Sequence, residues 1–586
     1  MIRFLDFIKD CMNRLIFFIL TSLTTLTINA KVIIKTSSVY PWAPSSLSQI
    51  INECKDDCVI VFDADYDYTI DRCITPKVSV EIRGCGKKLR TINKYNFVIS
   101  LFDVRDVDYF KINNLILDGS SDIAKPDNTK PKEFFITVKD VKDVSITKCT
   151  FQNIRTDYPN WKPGDEPYTI WVENYKKFIF CNNIVRNCDC PEFLKAVLPK
   201  NNQDANRIAE ISRNNMQFYR TSSAIEVRFG RFKINNNEIG VTHGSTINAF
   251  GFDSEIIGNI FHGSHNSSSI DISEQFAFKY VSSNIIVKNN YSKYAHDGFF
   301  MADHVNGITI KNNTYRADIF DENEHERYDK IWTKVERMCD LALRLDHDIS
   351  DINIVSNKFI GCNALMMLAT LGRKANIVVK NNYIRNVKST IRSSILLTQI
   401  DGMLVENNTF INAGRTLSYF EEPQFIVIGP TENTVSSERY VRNLTISNNS
   451  FSFSNNNDSA YVLAHTVYDK SNCNTLSSLD NITIKNNSTS FRGDVLLVTD
   501  NFVDPTNATI IIKRNRFNSG FILGNIARPQ SGRQVKRGTR LESNAIVDKN
   551  GIRYYVVFGG ITSSSDVDYN GAGYIKDGNV ILRKLY

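Results

Sequence analysis

The chain contains few of the residues that interrupt folded structure, and no segment is built mainly from them. Its 586 residues include only 14 prolines and 28 glycines, and no Pro/Ser-rich stretch marks a flexible linker. Blocks of like charge are also missing, so nothing in the composition separates one domain from another. With 42% hydrophobic residues, the composition is that of a folded protein rather than a disordered one.

The chain also has little net charge for its length. The formal charge is +7, and the basic residues are spread along the chain rather than clustered. This pattern does not indicate a nucleic-acid-binding surface, although it would favour an acidic partner. Nothing in the sequence indicates an oligomer, and we expect a monomer.

Only the N-terminus carries a long apolar run. Arg14 precedes an apolar stretch over residues 15–20 and a weaker one that ends at Ile28, and Ala30 offers a small residue for cleavage. Threonines and a serine interrupt the run, which is short for a membrane span. We therefore interpret residues 1–30 as a signal peptide rather than an anchor. The protein is expected to be secreted, to the extracellular space or the periplasm, and not to span the membrane.

Cysteines are present, but their spacing indicates no particular site. Eleven of the 12 cysteines follow the predicted signal peptide, so secretion would permit disulfides and would leave at least one thiol free. A dense group includes Cys188 and Cys190, whose spacing does not match a tetrahedral zinc site well.

The strongest signal in the sequence is internal repetition. A phrase of alternating apolar residues, a polar residue, two asparagines and an aromatic or aliphatic residue recurs, as in IIVKNNYS (285–292) and ITIKNNTY (308–315). The copies align on the second asparagine or its equivalent, with short steps of 22 to 26 residues and longer steps that we interpret as loop insertions. The aligned positions are Cys149, Asn183, Asn237, Asn259, Asn290, Asn313, Asn357, Asn382, Asn408, Asn449, Asn487 and Asn515.

The repeating unit predicts a right-handed parallel β-helix. Its alternating apolar segments have the period of strands and not of helices. A second such segment follows each aligned asparagine, for example AIEVRF (224–229) and SIDISE (269–274). Two strands at a fixed offset favour a β-helix over a helical or leucine-rich solenoid, and β-propeller blades carry different motifs. The expected fold class is all-β, a single-stranded solenoid whose stacked asparagines bond to one another along the axis.

The predicted solenoid has a cap at each end. Residues 31–110 contain the N-terminal cap helix and the first coils, residues 111–529 the β-helix with loop insertions, notably at 316–340, and residues 530–586 a C-terminal β cap. Because an open solenoid end is an unpaired sheet edge, a cap over the last coil is expected. The charged stretch 321–337 is interpreted as a helical insertion, either a surface loop or a lid beside a cleft.

These features resemble the pectin-lyase-like superfamily of right-handed β-helix proteins. The resemblance covers roughly residues 45–525, and SLSQIINECKDDCVIVFDADYDYTI is similar to the capping helix and first strand of such proteins. The segments RGCGKKLRTI and FKINNLILDGS are similar to their first coils. Signatures typical of polygalacturonases and of pectate lyases are absent. The resemblance therefore implies a secreted carbohydrate-active protein and leaves its reaction open.

Histidines are concentrated in the middle of the chain, where seven of the eight lie between residues 243 and 347. Three of them, His243, His265 and His296, each follow their aligned asparagine by six residues. Equivalent positions of successive coils stack about 4.8 Å apart. The sequence therefore predicts a column of three histidines over adjacent coils.

A facing column of polar residues is predicted on the strand that follows. The alternation in AIEVR, TINAF and SIDIS points the apolar residues inward and Glu226, Asn248 and Asp271 outward. Arg228 shares the outer face with Glu226. The two carboxylates are two coils apart, roughly 9–10 Å, at the upper edge of the separation found in inverting glycosidases.

Further polar residues extend this predicted surface. Asp303 and His304 come next along the chain, and Arg344 follows one turn further on. Tyr294 is expected beside the histidine column, where its ring would stack on a sugar. With Asn248, these residues are the candidate substrate-binding residues.

This combination suits two reactions on a polysaccharide, which we expect to be acidic. A hydrolase needs a carboxylic acid and a carboxylate, roles that fit Glu226 and Asp271. A lyase acting on a uronic acid needs a base, for which histidine is suited, and a cation such as Arg228 or a bound Ca²⁺ ion that stabilises the enolate-like charge. The histidine column gives the lyase a slight preference. The candidate catalytic residues are Glu226, Asp271, His265, His243, His296 and Arg228.

Two other functions stay open on the sequence alone. Outward polar residues are typical of any solvated β-face, so the solenoid is also consistent with a non-catalytic glycan-binding or adhesion protein. A uronan C5-epimerase shares proton abstraction with the lyase but breaks no bond in the polymer. In every case the expected partner is a polysaccharide.

Overall fold

The computed structural model describes most of the chain between residues 31 and 584. The described ranges are 31–38, 44–64, 67–70, 72–91, 100–120, 135–156, 168–200, 202, 204–273, 281–329, 341–362, 364–368, 372–386, 395–397, 399–412, 415–416, 423–428, 439–452, 461–465, 477–490, 496–498, 510–513, 516–517, 525–526, 546–549, 552–557, 574–577 and 580–584. The predicted signal peptide lies outside these ranges. Within them, no helix has the length and apolar character needed to cross a membrane.

The described strands form a parallel β-helix, which confirms the predicted all-β solenoid. One sheet of 44 strands runs through the chain, and its strands pair in parallel with strands of the coils before and after them. Their pairings separate them into three columns. In each coil a first-column strand leads through a bend, which carries the aligned asparagine or its equivalent, to the second column, and the chain then reaches the third column and returns to the first.

The strand bounds follow the three columns. The first column contains Val32–Lys35, Cys58–Val61, Val80–Arg83, Tyr109–Asn113, Asp143–Thr147, Lys177–Cys181, Ile208–Ser212, Ser282–Lys288, Lys374–Lys380, Ile400–Glu406, Arg439–Ser447, Ser477–Lys485 and Ile510–Lys513. The second contains Tyr68–Ile70, Lys88–Thr91, Ile116–Asp118, Thr150–Arg155, Asn215–Gln217, Glu238–Ile239, Ile260–Phe261, Tyr291–Lys293, Thr314–Arg316, Lys358–Ile360, Tyr383–Arg385, Thr409–Ile411, Ser450–Ser452, Ser488–Thr489 and Arg516–Phe517. The third contains Phe102–Arg105, Ile136–Lys139, Tyr168–Glu173, Ser268–Ile272, Ala364–Leu368, Ile395–Leu397, Pro423–Ile428, Tyr461–His465, Leu496–Val498 and Asn525–Ile526.

Five long strands pass through a corner and belong to two columns. Ile184–Val197 runs from the second column to the third, and the others run from the third column to the first. These others are Arg220–Asn235, Ile247–Ile257, Gly298–Lys311 and Leu341–Val355. A short strand, Arg415–Thr416, pairs antiparallel with the third-column strand Pro423–Ile428.

Side chains of alternate residues fill the interior of the solenoid. In the first column Ile234, Ile256, Val287 and Ile310 are register partners on successive coils, and all four are fully buried. The residues between them face outward. This period of two explains why the apolar alternation in the sequence identifies the strands.

The two asparagines of the repeated phrase have different roles at the bend after the first column. The first adopts the left-handed region, with φ of 55° at Asn289 and 54° at Asn312, which asparagine tolerates better than most residues. The second is buried and donates its amide to the next coil, as Asn290 Nδ2 does to Asn313 Oδ1 at 3.0 Å. Its backbone N–H donates to the same oxygen at 2.9 Å.

The stacked asparagines form a continuous ladder, as the sequence predicts. Its described members are Asn183, Asn214, Asn237, Asn259, Asn290, Asn313, Asn357, Asn382, Asn408, Asn449 and Asn487. The sequence alignment missed Asn214 because Arg213 replaces the first asparagine of the pair. Arg213 nevertheless adopts φ of 55°. The step from Asn183 to Asn237 is therefore two coils rather than one coil with an insertion, while Asn515 lies outside the described residues.

The ends of the chain contain the remaining elements. A 3₁₀ turn, Thr36–Ser38, and helix α1, Pro44–Asn52, follow the first strand, so the first column begins before the predicted cap helix. Helix α2, Glu322–Asp329, lies in the predicted insertion. A separate antiparallel sheet contains Ile546–Lys549, Ile552–Val557, Tyr574–Asp577 and Val580–Lys584. That it caps the last coil stays a prediction, as do the domain boundaries.

Candidate active site on the third column

Outward-facing residues of the third column form a row across successive coils. We call it the Glu226 row, and it consists of Lys195, Glu226, Asn248, Asp271, Met301 and Arg344. The register places Asn248 between Glu226 and Asp271, as the alignment of the coils predicts. Because partners in adjacent coils are about 4.8 Å apart, the two carboxylate-bearing residues are separated by roughly 9–10 Å.

Glu226 is held by partners from neighbouring coils. The Tyr168 hydroxyl donates to Glu226 Oε2 at 2.6 Å, and Lys195 Nζ donates to the Tyr168 hydroxyl oxygen at 2.8 Å. Lys195 Nζ also lies 3.6 Å from Glu226 Oε1, and Arg228 forms a second ion pair with this carboxylate. Sequence reasoning did not identify Tyr168 or Lys195, since neither belongs to the coils that carry histidines.

A second buried acid, Glu192, lies beside Glu226. Burial, followed by the charge of Glu226 and a hydrogen bond with it, raises the pKa of Glu192 well above its usual value. Burial, followed by the charges of Glu192 and Glu226, also raises the pKa of Tyr168. The site therefore favours a neutral phenol at Tyr168 and a protonated carboxyl group at Glu192.

Asp271 is surrounded by serine donors. Its Oδ1 accepts a hydrogen bond from the backbone N–H of Ser273 at 2.7 Å and another from the Ser273 hydroxyl. Its Oδ2 accepts from Ser245 Oγ at 3.4 Å. Burial raises the pKa of Asp271 to about 6, although these hydrogen bonds and the charge of Arg344 act in the opposite direction. A carboxyl group with this pKa is suited to donating a proton near neutral pH.

The two carboxylates point away from the core, but neither is open to solvent. Glu226 is 2% exposed and Asp271 is 1% exposed, so the solvated face that alternation alone suggests is not found here. The ion pairs at Glu226 and the serine hydrogen bonds at Asp271 offset the cost of burying these groups. Arg228, with a side chain 34% exposed, connects the row to the surface.

Helix α2 covers two of the three histidines of the predicted column. His243 and His265 lie on adjacent coils with ring centroids 5.6 Å apart, and both are at least 96% buried. Tyr328 of the helix stacks on His265 at 5.5 Å, and His325 Nδ1 lies 3.3 Å from His265 Nδ1. The predicted column therefore exists, and the insertion buries its first two members, His243 and His265.

His296, the third member of the column, is less covered. Its side chain is 28% exposed, and its Nδ1 lies 2.9 Å from Asp297 Oδ1. A hydrogen bond from Nδ1 to a carboxylate leaves Nε2 as the proton-accepting nitrogen.

Tyr294 does not lie on the surface where the sequence placed it. The residue is 2% exposed, and its ring packs edge-on against Phe320 at 4.9 Å and against His325 at 5.5 Å. It anchors the segment that leads into helix α2. A role in stacking on a sugar is therefore excluded for this residue as it lies in the structure.

A further polar group lies where the third column turns into the first. Asp303 Oδ1 is 2.6 Å from His304 Nδ1 and 2.8 Å from His347 Nδ1. The two imidazole rings stack with centroids 5.1 Å apart and planes at 13°. The histidine side chains are 45% and 49% exposed. The structure thus brings Asp303 and His304 together with His347 of the next coil.

Charged side chains adjoin this group. Arg344 Nε donates to Asp346 Oδ2 at 2.6 Å, and the guanidinium remains 39% exposed.

Lys374 is fully buried. Burial lowers the pKa of Lys374 to about 8, while the charges of Asp346, Asp348 and Asp303 act to raise it. Sequence reasoning missed Lys374, because its position in the first column is usually occupied by an inward apolar residue.

Burial of His243 makes a prediction for stability. Burial, and then the charge of His265, lower the pKa of His243 from 6.5 to about 3. The unfolded state therefore binds a proton below pH 6.5 that the folded state does not bind until about pH 3. The free energy of unfolding consequently decreases as the pH is lowered from about 6.5 to about 3. The expected loss is about 1.4 kcal/mol per pH unit from this group, measured as the free energy of unfolding in urea.

The variant His243→Asn should show a smaller loss of stability between pH 7 and pH 5 than the wild type. His262→Asn is the matched control, because the His262 side chain is 28% exposed and contacts Glu238 and Lys293. Equal pH dependence in the wild type and the His243 variant would contradict the assignment.

Comparisons with known proteins find similar solved structures but no family. No family model matches the chain, and no curated protein matches it. Similar solved structures include a PL6 alginate lyase complex with trisaccharide, at 12% identity and a TM-score of 0.28, covering 90% of this chain and 92% of that one. A tailspike protein mutant of E. coli bacteriophage HK620 in complex with pentasaccharide matches at 10% identity and a TM-score of 0.36, covering 92% and 86%.

A third similar structure is PfbA, a surface protein and adhesin of Streptococcus pneumoniae. It matches at 12% identity and a TM-score of 0.30, covering 81% of this chain and 96% of that chain. At these identities and TM-scores the likeness does not extend to function.

Proposed function

We propose that the protein cleaves an acidic polysaccharide on the outer face of the third column, along the Glu226 row. The observation that carries this proposal is the register of the row, which combines two carboxylates with Lys195 and Arg344 on one face. Arg228 adds a third cation beside Glu226. A polymer with a carboxylate on its sugars would meet complementary charge along this face.

Hydrolysis is the reaction that the two carboxylates favour. Asp271, with a pKa raised to about 6 by burial, would protonate the leaving oxygen. Glu226 would activate a water on the opposite side of the sugar. Their positions on the sheet are roughly 9–10 Å apart, at the upper edge of the carboxylate separation in inverting enzymes, which leave room for such a water.

Access is part of the proposal. Because Glu226 and Asp271 are covered, substrate has to open this face before it reaches them. Asn248 and Arg228, which are only partly buried, are the members of the site that a polysaccharide meets first. Contacts with the sugar would replace the contacts that now cover the two carboxylates, and bulk water other than the attacking molecule would be excluded from the closed complex.

β-Elimination is the second candidate, and His296 favours it. Its partly exposed imidazole, with Nδ1 directed to Asp297, is placed to act as a base through Nε2. Arg344, 39% exposed, would stabilise the charge that develops on the uronate carboxylate. Helix α2 packs directly on His243 and His265 through Tyr328 and His325, so the preference passes from the lyase to hydrolysis.

The reaction type is tested by assaying a panel of acidic polysaccharides, with and without Ca²⁺, for new reducing ends and for the ultraviolet absorbance of an unsaturated uronate. We expect reducing ends without absorbance, since hydrolysis forms no double bond. A rise in both signals would replace hydrolysis by elimination and move the catalytic role to His296. Tight binding without either signal would overturn cleavage and leave a glycan-binding protein, and a change in uronate configuration alone would identify an epimerase.

A further inference from the structure

We propose that Asp303, His304 and His347 bind a divalent transition-metal ion of the Zn²⁺ class. The three side chains come from two adjacent coils, where the dipeptide Asp-His occurs twice. Asp303 pairs in register with Asp346, so His304 and His347 occupy the same bend of successive coils. Both histidines adopt the left-handed region, with φ of 51° and 52°. The repeat of the solenoid thus places two imidazoles side by side.

The distances suit a common ion. One ligand atom from each of the three residues can be chosen so that all lie within 4.8 Å of one another. Ligands of a tetrahedral zinc ion, bound at about 2.0–2.1 Å, are roughly 3.3 Å apart. Both imidazoles are partly exposed, and rotation of these side chains would bring the three ligand atoms to that spacing.

The donor set selects the class of metal. Two imidazole nitrogens and one carboxylate oxygen match catalytic zinc sites, which use three protein ligands and leave a fourth position open. Hard cations such as Ca²⁺ and Mg²⁺ are bound through oxygen ligands in larger numbers. Imidazole ligands therefore favour Zn²⁺ or a similar transition metal over the Ca²⁺ that the sequence suggested for a lyase.

A buried carboxylate beside the three ligands provides an independent observation. The Asp346 side chain is only 8% exposed, and its Oδ2 accepts from Arg344 Nε. Its Oδ1 is buried and has no hydrogen-bond donor among the described residues. An unsatisfied buried oxygen is costly, and a metal-bound water or a reoriented ligand imidazole would supply a donor for it.

The local charge also accommodates a cation. Three carboxylates, Asp303, Asp346 and Asp348, surround Lys374 closely enough to act on its charge, and Arg344 is already paired with Asp346. Asp303 lies two residues beyond Met301 of the Glu226 row, so the open metal position would face the same surface. Use of the ion to bind a uronate carboxylate rests on the proposed function, whereas metal binding itself does not.

Calorimetric titration of the full chain with Zn²⁺ tests the site. The wild type should bind one ion at this site, and the double variant His304→Asn/His347→Asn should weaken that binding by more than about 100-fold. Asparagine is chosen because it tolerates the left-handed backbone conformation. His262→Asn is the matched control and should bind like the wild type.

Co²⁺ substitution gives a readout that separates this site from cysteine thiols. Ligation by histidine and aspartate should give d–d absorbance without the sulfur-to-metal charge-transfer band that a thiolate such as Cys85 would add. Equal Zn²⁺ binding by the wild type and the double variant, or no binding by the wild type, would overturn the proposal. Metal binding without polysaccharide cleavage would refute the proposed function and leave the metal site intact.

Discussion

Replacing Asp271 with asparagine is expected to lower kcat on the acidic polysaccharide by about 10²–10⁴-fold, the usual contribution of a general acid. Asparagine has nearly the same shape, and its Oδ1 still accepts from the backbone N–H of Ser273. The amide has no acidic proton to transfer to the leaving oxygen. Glu226→Gln should cause a loss of similar size, because it removes the base that activates water. Both losses are measured as the rate of reducing-end release at saturating substrate.

The pH profile of the wild type gives a second readout of the same assignment. A general acid has to carry its proton, so activity should fall as pH rises through about 6, the raised pKa of Asp271. An alkaline limb far above this value would assign the acid to another group.

Glu210→Gln is the matched control for these variants. It makes the same change on a first-column strand, at a side chain that is 35% exposed, and it should leave activity unchanged. Because burial penalises the charged form of Asp271, Asp271→Asn should be at least as stable as the wild type above pH 6. Wild-type activity in both folded row variants would remove the carboxylates from the mechanism.

Interrupting the asparagine ladder in the middle of the solenoid should reduce stability more than any other substitution proposed for this protein. Asn313 Oδ1 accepts from Asn290 N and Nδ2, and Asn313 Nδ2 donates to Val287 O and Asn357 Oδ1. Asn313→Leu leaves two donors of Asn290 and the Val287 carbonyl without these partners. Each unsatisfied buried group costs about 1–3 kcal/mol, so the free energy of unfolding should fall by at least about 3 kcal/mol, measured in urea.

The neighbouring residue provides the control for this prediction. Asn312 is exposed and adopts φ of 54°, a conformation that glycine enters without strain, so Asn312→Gly should change stability by no more than about 1 kcal/mol. Hydrogen exchange should show faster opening of Ser282–Lys288 and Gly298–Lys311 in the Asn313 variant alone. Equal losses in the free energy of unfolding for the two substitutions would mean that the asparagine ladder contributes no more to stability than the conformation of the bend does.

The fold and the register of the site are readable from the sequence because one physical constraint repeats in every coil. The buried asparagine fixes the position of each bend, and residues at equal distances from it become neighbours on adjacent coils. That constraint pairs Glu226 with Asn248 and Asn248 with Asp271. In one coil Arg213 replaces the first asparagine of the repeated pair. The sequence alignment therefore does not recognise that coil and misses Asn214.

Burial of the site was not predictable from the same pattern. Alternation separates inward from outward positions, but it contains no information on what packs against the outer face. Helix α2 is strongly charged, yet it directs Tyr328 and His325 onto the histidine column. Tyr168 reaches Glu226 across 58 residues of sequence. Such contacts depend on the paths of insertions between coils, for which the repeat sets no rule.

The structure of Asp271→Asn bound to an acidic oligosaccharide tests the proposed function most directly. We expect the sugar to lie across the Glu226 row, with uronate carboxylates near Arg228 and Arg344 and a glycosidic bond between Glu226 and residue 271. Two results would contradict an active site on the third column. One is an oligosaccharide bound to the first or second column, and the other is no bound oligosaccharide under conditions in which the wild type cleaves the polysaccharide.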